Sequence, residues 1–93
     1  MMKYVDWDET KNKLLKRDRD VCFEDVMIAI DEGGALDLIP HPNQKKYPQQ
    51  QIIVVNINGY AYLVPFVENN EAMFFKTIIP SRKATKKYLI QKS

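Results

Sequence analysis

Two apolar, β-branched runs, QIIVVNI and YAYLVPFV, are separated only by Asn58-Gly59, and no other stretch restricts the fold as strongly. A two-residue connection between strands of this kind is a type I′ turn. Both of its central residues take positive φ, which Asn and Gly tolerate better than other residues. The spacing therefore predicts an antiparallel hairpin over residues 51–67. Pro65 lies inside its second strand and lacks an N–H, so a bulge or an edge-facing position is expected there. A second turn at ENNE leads into AMFFKTII, another strand.

The N-terminal half reads differently. KYVDW has the content of a short strand, and Asp8 follows as an N-cap before the helix-favouring ETKNKLLKR. Phe23, Val26, Met27 and Ile30 recur at i, i+3, i+4 and i+7, which predicts a second helix packed on a sheet, with Gly33-Gly34 as its left-handed stop. ALDLI is a short strand. In the following PHPNQKKYPQQ, Pro40, Pro42 and Pro48 exclude a regular helix and interrupt any central strand, leaving a loop. Ser81 is placed to open a final helix. The expectation is a single α+β domain over residues 1–93, with an antiparallel sheet of three to five strands, two N-terminal helices and one C-terminal helix.

With 93 residues, 45% of them hydrophobic, the chain fits one compact domain, since half of it could not bury enough surface to stand alone without metals or disulfides. Cys22 is the single cysteine and cannot form an internal bridge. The chain shows no signal-peptide pattern and no apolar run that could span a bilayer, so a cytoplasmic protein without membrane association is expected. The net charge is +2, but its layout is uneven. Residues 1–37 hold six basic and ten acidic side chains, whereas residues 76–93 hold six basic and no acidic ones. The C-terminal tail is thus a cationic patch.

Within that tail, IIPSRKATKKY puts Arg82 and Lys83 in the first turn of the last helix. The positive end of the helix dipole makes each cation there cost roughly 0.3–1 kcal/mol. A bound anion reverses that penalty: the first-turn N–H groups, the Ser81 hydroxyl and the Arg82 fork together suit a phosphate. The same residues also fit a plain terminal helix, with Lys83, Lys86 and Lys87 solvated and Ala84 and Tyr88 packed inward.

Other chemistries are excluded by inventory. One cysteine and one histidine cannot form a zinc site, and the three glycines form no phosphate loop after a strand. No metal or cofactor is expected. There is no G-x-S-x-G elbow, and the single loop histidine supports no credible Ser-His-acid set. Cys22 reads as a small buried thiol.

Both ends of the chain resemble the BrnT family of small toxins from type II toxin–antitoxin systems. VDWDETKNKLLKRDRDVCFEDV is similar to the family's opening, in which WD precedes a Lys- and Asn-bearing helix and a SFEEA-like second helix. KTIIPSRKATKKY resembles its closing strand and ISARxA turn into a basic helix. The matched positions are Trp7, Asp8 and Lys11, then Phe23 and Glu24, then Ile78, Ile79, Arg82 and Ala84. The resemblance implies a RelE-like fold, metal-independent RNA cleavage, and neutralisation by a cognate antitoxin with a DNA-binding module of ribbon-helix-helix type. This chain departs from the pattern in having Asp18-Arg19-Asp20 where many members carry KHG. Cys22 replaces the capping serine, and the final helix lacks the Glu-Arg pair often seen there.

Metal-free RNA cleavage needs a proton acceptor for the 2′-OH, a cation for the phosphorane and a proton donor for the leaving oxygen. Arg82 is the candidate phosphate stabiliser. For proton transfer the candidates are His41, Glu24 with a raised pKa, and Lys11 or Lys16 with a lowered one. Lys83, Lys86 and Lys87 are candidate RNA-backbone contacts, while Trp7 and Tyr60 are candidate base-stacking residues that also fit core positions. The chain is compatible with a homodimer. The competing reading is a non-catalytic domain of the same fold that binds protein or nucleic acid.

Overall fold

The structure is a computed structural model that describes residues 4–90. The elements run β1 (Tyr4–Trp7), α1 (Glu9–Arg19), α2 (Phe23–Asp31), β2 (Ala35–Pro40), β3 (Gln51–Ile57), β4 (Tyr60–Glu68), β5 (Ala72–Phe75), β6 (Ile79–Pro80) and α3 (Arg82–Tyr88). Lys3, expected at the start of the first strand, lies outside the described residues. The sheet order is β1-β5-β4-β3-β2, with β6 also pairing β4. Strands β2 to β5 are antiparallel, but β1 runs parallel to β5, which makes the sheet mixed.

The hairpin is as the sequence predicts. Asn58 and Gly59 take φ of 54° and 84°, and Ile57 pairs with Tyr60 across the turn. The Asn56 carboxamide accepts the Gly59 N–H at 2.8 Å, fixing the turn from its own strand. Pro65 pairs with Ile52 on its β3 side and gives its carbonyl to the Lys76 N–H at 2.8 Å on the other. On that second side the register changes between Phe66↔Phe75 and Leu63↔Ile79. The bulge over residues 76–78 therefore lies opposite the position where Pro65 has no donor.

Local caps set the helix ends. The Asp8 carboxylate accepts the N–H groups of Thr10 and Lys11, and Asp20 closes α1 in the left-handed region with φ 58°. Helix α2 buries Phe23, Val26 and Ala29, with Met27 and Ile30 half-buried beside them. The expected stripe thus contains Ala29 as well, and its outer members are only partly covered. Gly33 supplies the left-handed stop with φ 85°. Gly34 serves a close approach: a Cβ there would lie 2.9 Å from the Ala29 carbonyl and 3.0 Å from that of Asn56.

Strand β3 separates two cores. Its Ile53, Val55 and Ile57 pack with Leu15, Phe23, Val26, Phe66 and Phe75 under α1 and α2. Val54, on the alternate face, packs with Ala61 and Ala84 under α3. The helices therefore cover opposite faces of the sheet, α1 and α2 on one and α3 on the other. That arrangement explains why β3 is apolar almost throughout rather than alternating. No helix among the described residues is long and apolar enough to cross a membrane.

A cationic helix beside an apolar groove as the candidate site

Helix α3 is held on the sheet by a short chain of polar contacts. The Ser81 hydroxyl accepts the Ala84 N–H at 3.0 Å, which is the expected N-cap. Ser81 also donates its own N–H to the Ala61 carbonyl at 3.0 Å, while its carbonyl accepts the Thr85 N–H at 3.0 Å. The buried Thr85 hydroxyl donates to that same Ser81 carbonyl and accepts the Ala61 N–H, each at 2.8 Å. Both backbone groups of Ala61 are thus taken by the start of α3. The first-turn N–H groups of Ala84 and Thr85 are likewise taken within the chain, so the phosphate cradle expected there has fewer donors than the sequence suggested.

At the far end the Tyr88 hydroxyl donates to the Asp37 carboxylate of β2 at 2.5 Å. That bond holds the Asp37 carboxyl below its ordinary 3.8 and the Tyr88 phenol above its ordinary 10.0. A bulge at Leu36 in β2 turns Leu36 and Asp37 toward the same face, Leu36 into the α3 core and Asp37 onto Tyr88.

Between these anchors Ala84 and Thr85 are buried, whereas Arg82, Lys83, Lys86 and Lys87 are exposed. Lys87 places its ammonium 5.2 Å from the centre of the Tyr88 ring. Among the described residues the ion pairs are Lys16–Asp20 and Arg17–Asp18, and neither involves α3. Beside the helix runs a groove of about 260 Å³ with an apolar floor of Ile39, Val54 and Leu63 and a rim that includes Lys83 and Lys87. The groove was not foreseen from sequence. Lys83 and Lys87 stand one turn apart, which marks one helix face, but nothing local to them points to Ile39 or Leu63.

The other candidate residues are elsewhere and already engaged. Trp7 stacks on Phe23 and Phe75 with ring centres at 5.5 and 6.3 Å, and its indole N–H donates to Glu9 at 3.2 Å. It is a core aromatic on the α1/α2 face. Tyr60 meets Tyr62 edge-on at 5.7 Å, and strand alternation puts both on that same face. The base-stacking candidates are therefore on the opposite side of the sheet from Lys83, Lys86 and Lys87.

Glu24 accepts a 2.7 Å hydrogen bond from the carboxamide of Asn12, which lowers its pKa. This is opposite to what a general base near neutrality requires. Asn12 itself is buried, and its oxygen accepts the Phe23 N–H at 2.6 Å, so the Asn12–Glu24 pair reads as the tie between α1 and the start of α2. Lys11 is exposed on α1. His41, in the loop after β2, accepts the Asn43 N–H on Nδ1 at 3.0 Å and packs against Tyr47 with ring centres 4.5 Å apart. Burial raises the Cys22 thiol pKa, as suits an unreactive residue. Lys11, Glu24 and Trp7 thus stand on α1, α2 and β1, elements that belong to the face of the sheet opposite the one α3 covers. Among the described residues, no group of three or more His, Cys, Asp or Glu could hold a metal ion.

No family model, curated protein or solved structure matches the chain.

Proposed function

We propose that this protein is a cytoplasmic toxin of a type II toxin–antitoxin pair that engages RNA through α3, with a DNA-binding antitoxin as its neutralising partner. The observation that carries the reading is the exposed set Arg82, Lys83, Lys86 and Lys87 on a helix with no acid of its own. Clustered cations of this kind neutralise a phosphate backbone, and the Arg82 fork can hold one phosphate through two bonds. The resemblance of both chain ends to the BrnT toxins, with their RelE-like fold, supports the same reading. Under it, Arg82 stabilises charge on the scissile phosphate without a metal, and the antitoxin acts by covering α3.

A second reading, a non-catalytic protein- or nucleic-acid-binding domain of the same fold, is favoured by one specific observation. The two side chains best suited to proton transfer are engaged elsewhere, Glu24 with Asn12 and His41 within its loop. Incubating the purified protein with end-labelled single-stranded RNA in the presence of EDTA separates the readings. Salt-sensitive binding accompanied by fragments is expected of the toxin, and binding without fragments is expected of the second reading. If the RNA is neither bound nor cut, both RNA readings fail.

A further inference from the structure

Helix α2 carries a surface that is the electrostatic counterpart of the α3 groove. Met27, Ile28, Ile30 and Asp31 line an apolar hollow of about 290 Å³, and Ile28 is 56% exposed. Asp31 lines the hollow, and residues 23–32, the helix that carries it and its C-cap, have Glu24, Asp25, Asp31 and Glu32 and no cation of their own. The α3 groove has the same construction with the opposite sign, an apolar floor bordered by Lys83 and Lys87 on a helix without an acid. The charged residue lining the α2 hollow is Asp31 and those lining the α3 groove are Lys83 and Lys87, with the Asp37 carboxylate bonded to Tyr88 at the groove's far end; each surface leaves apolar area in water beside the charge that the other lacks.

We infer that the α2 surface of one copy of this chain docks into the α3 groove of a second copy, so that the protein associates head to tail. The placement of the helices dictates this geometry. Because α2 and α3 cover opposite faces of the sheet, the two surfaces of one molecule cannot meet each other. A two-fold dimer cannot pair both surfaces at once for the same reason, since that requires them on one side of each copy. The contact is therefore heterologous and leaves one free α2 surface and one free α3 groove at the ends of every open assembly. If RNA also binds α3 as proposed above, RNA and a second copy compete for Lys83 and Lys87; the docking itself does not rest on that reading.

The test measures mass in solution with no RNA present. Sedimentation velocity of the full chain at low salt is expected to show an average mass that rises with concentration past the dimer and falls as salt is added. Ile28→Lys blocks one surface, and the double substitution Lys83→Glu with Lys87→Glu blocks the other. All three positions are exposed, and unchanged circular dichroism checks the fold. Each variant alone is expected to be monomeric. An equimolar mixture is expected to give a 1:1 heterodimer that stops there, because each partner retains the surface that the other needs. Ile28→Ser with Asp31→Ser replaces Ile28→Lys should that variant misfold. A wild-type chain that stays monomeric at millimolar concentration in low salt overturns the inference. So does a mixture of the two variants that stays monomeric, or a wild-type mass that levels off at a dimer.

Discussion

The Thr85 hydroxyl accepts the Ala61 N–H and donates to the Ser81 carbonyl, both at 2.8 Å, so one buried side chain joins the first turn of α3 to the backbone of β4. This contact fixes where the exposed cations of α3 stand relative to the sheet. Thr85→Val keeps the shape and leaves the buried Ala61 N–H without its acceptor. Unfolding in urea is expected to show a loss of about 1–3 kcal/mol, with Thr85→Ser losing much less. A loss for Thr85→Val within experimental error would mean that α3 is held by its apolar contacts alone.

Asn12 makes a comparable tie on the other face. It accepts the Phe23 N–H at 2.6 Å and donates to Glu24 at 2.7 Å and to Glu9 at 3.3 Å. Asn12→Leu removes all three bonds and strands the Phe23 N–H at the start of α2, for an expected loss of about 1–3 kcal/mol. The same substitution should let the Glu24 pKa rise toward its ordinary value, because the Asn12 bond is the largest cause of its depression. Carboxyl-carbon NMR titration reads this directly, and an unmoved Glu24 would place the cause elsewhere.

The bond between Asp37 and Tyr88 gives α3 docking a defined pH window. Asp37 has a folded pKa below its ordinary 3.8, so its contribution is present above that value and is lost as pH falls through the folded pKa. Tyr88 has a folded pKa above its ordinary 10.0, so its contribution is present below 10.0 and is lost as pH rises through the folded pKa. Thermal unfolding of the wild type and of Tyr88→Phe should differ on the plateau between these limits and converge at both ends. A difference that is independent of pH would show that the hydroxyl bond contributes nothing to it.

Features fixed by neighbouring residues were legible in the sequence. Asn58-Gly59 announced the turn and Asp8 and Ser81 announced their caps, while Pro65, expected at a bulge or an edge-facing position, lies in the inner strand β4 with the bulge in the neighbouring segment. Contacts between distant parts of the chain were not. Nothing in KYVDW says that β1 lies parallel to β5, because that pairing is set by where α1 and α2 return the chain. The apolar alternation of β3 was hidden for a related reason. With helices on both faces, Ile52 through Val55 are all buried and no face is marked by polar residues. At the candidate site the four cations of α3 were visible as a charge run, whereas Asp37 and Ile39 come from β2 and carry no local signal for it. The bond that lowers the Glu24 pKa was likewise invisible, because its partner Asn12 is one helix away.

Arg82 is the proposed phosphate contact of α3, and RNA affinity measured for three forms of the protein tests that role most directly. Fluorescence anisotropy with a labelled single-stranded RNA should show Arg82→Ala binding about tenfold or more weakly than wild type, as expected for loss of a charge-assisted pair. Arg82→Lys should fall between them, since an ammonium keeps the charge and loses the fork. Because Arg82 is exposed, all three forms should melt at nearly the same temperature. Equal RNA affinity for wild type and Arg82→Ala, with the fold intact in both, would contradict a phosphate-binding role for Arg82.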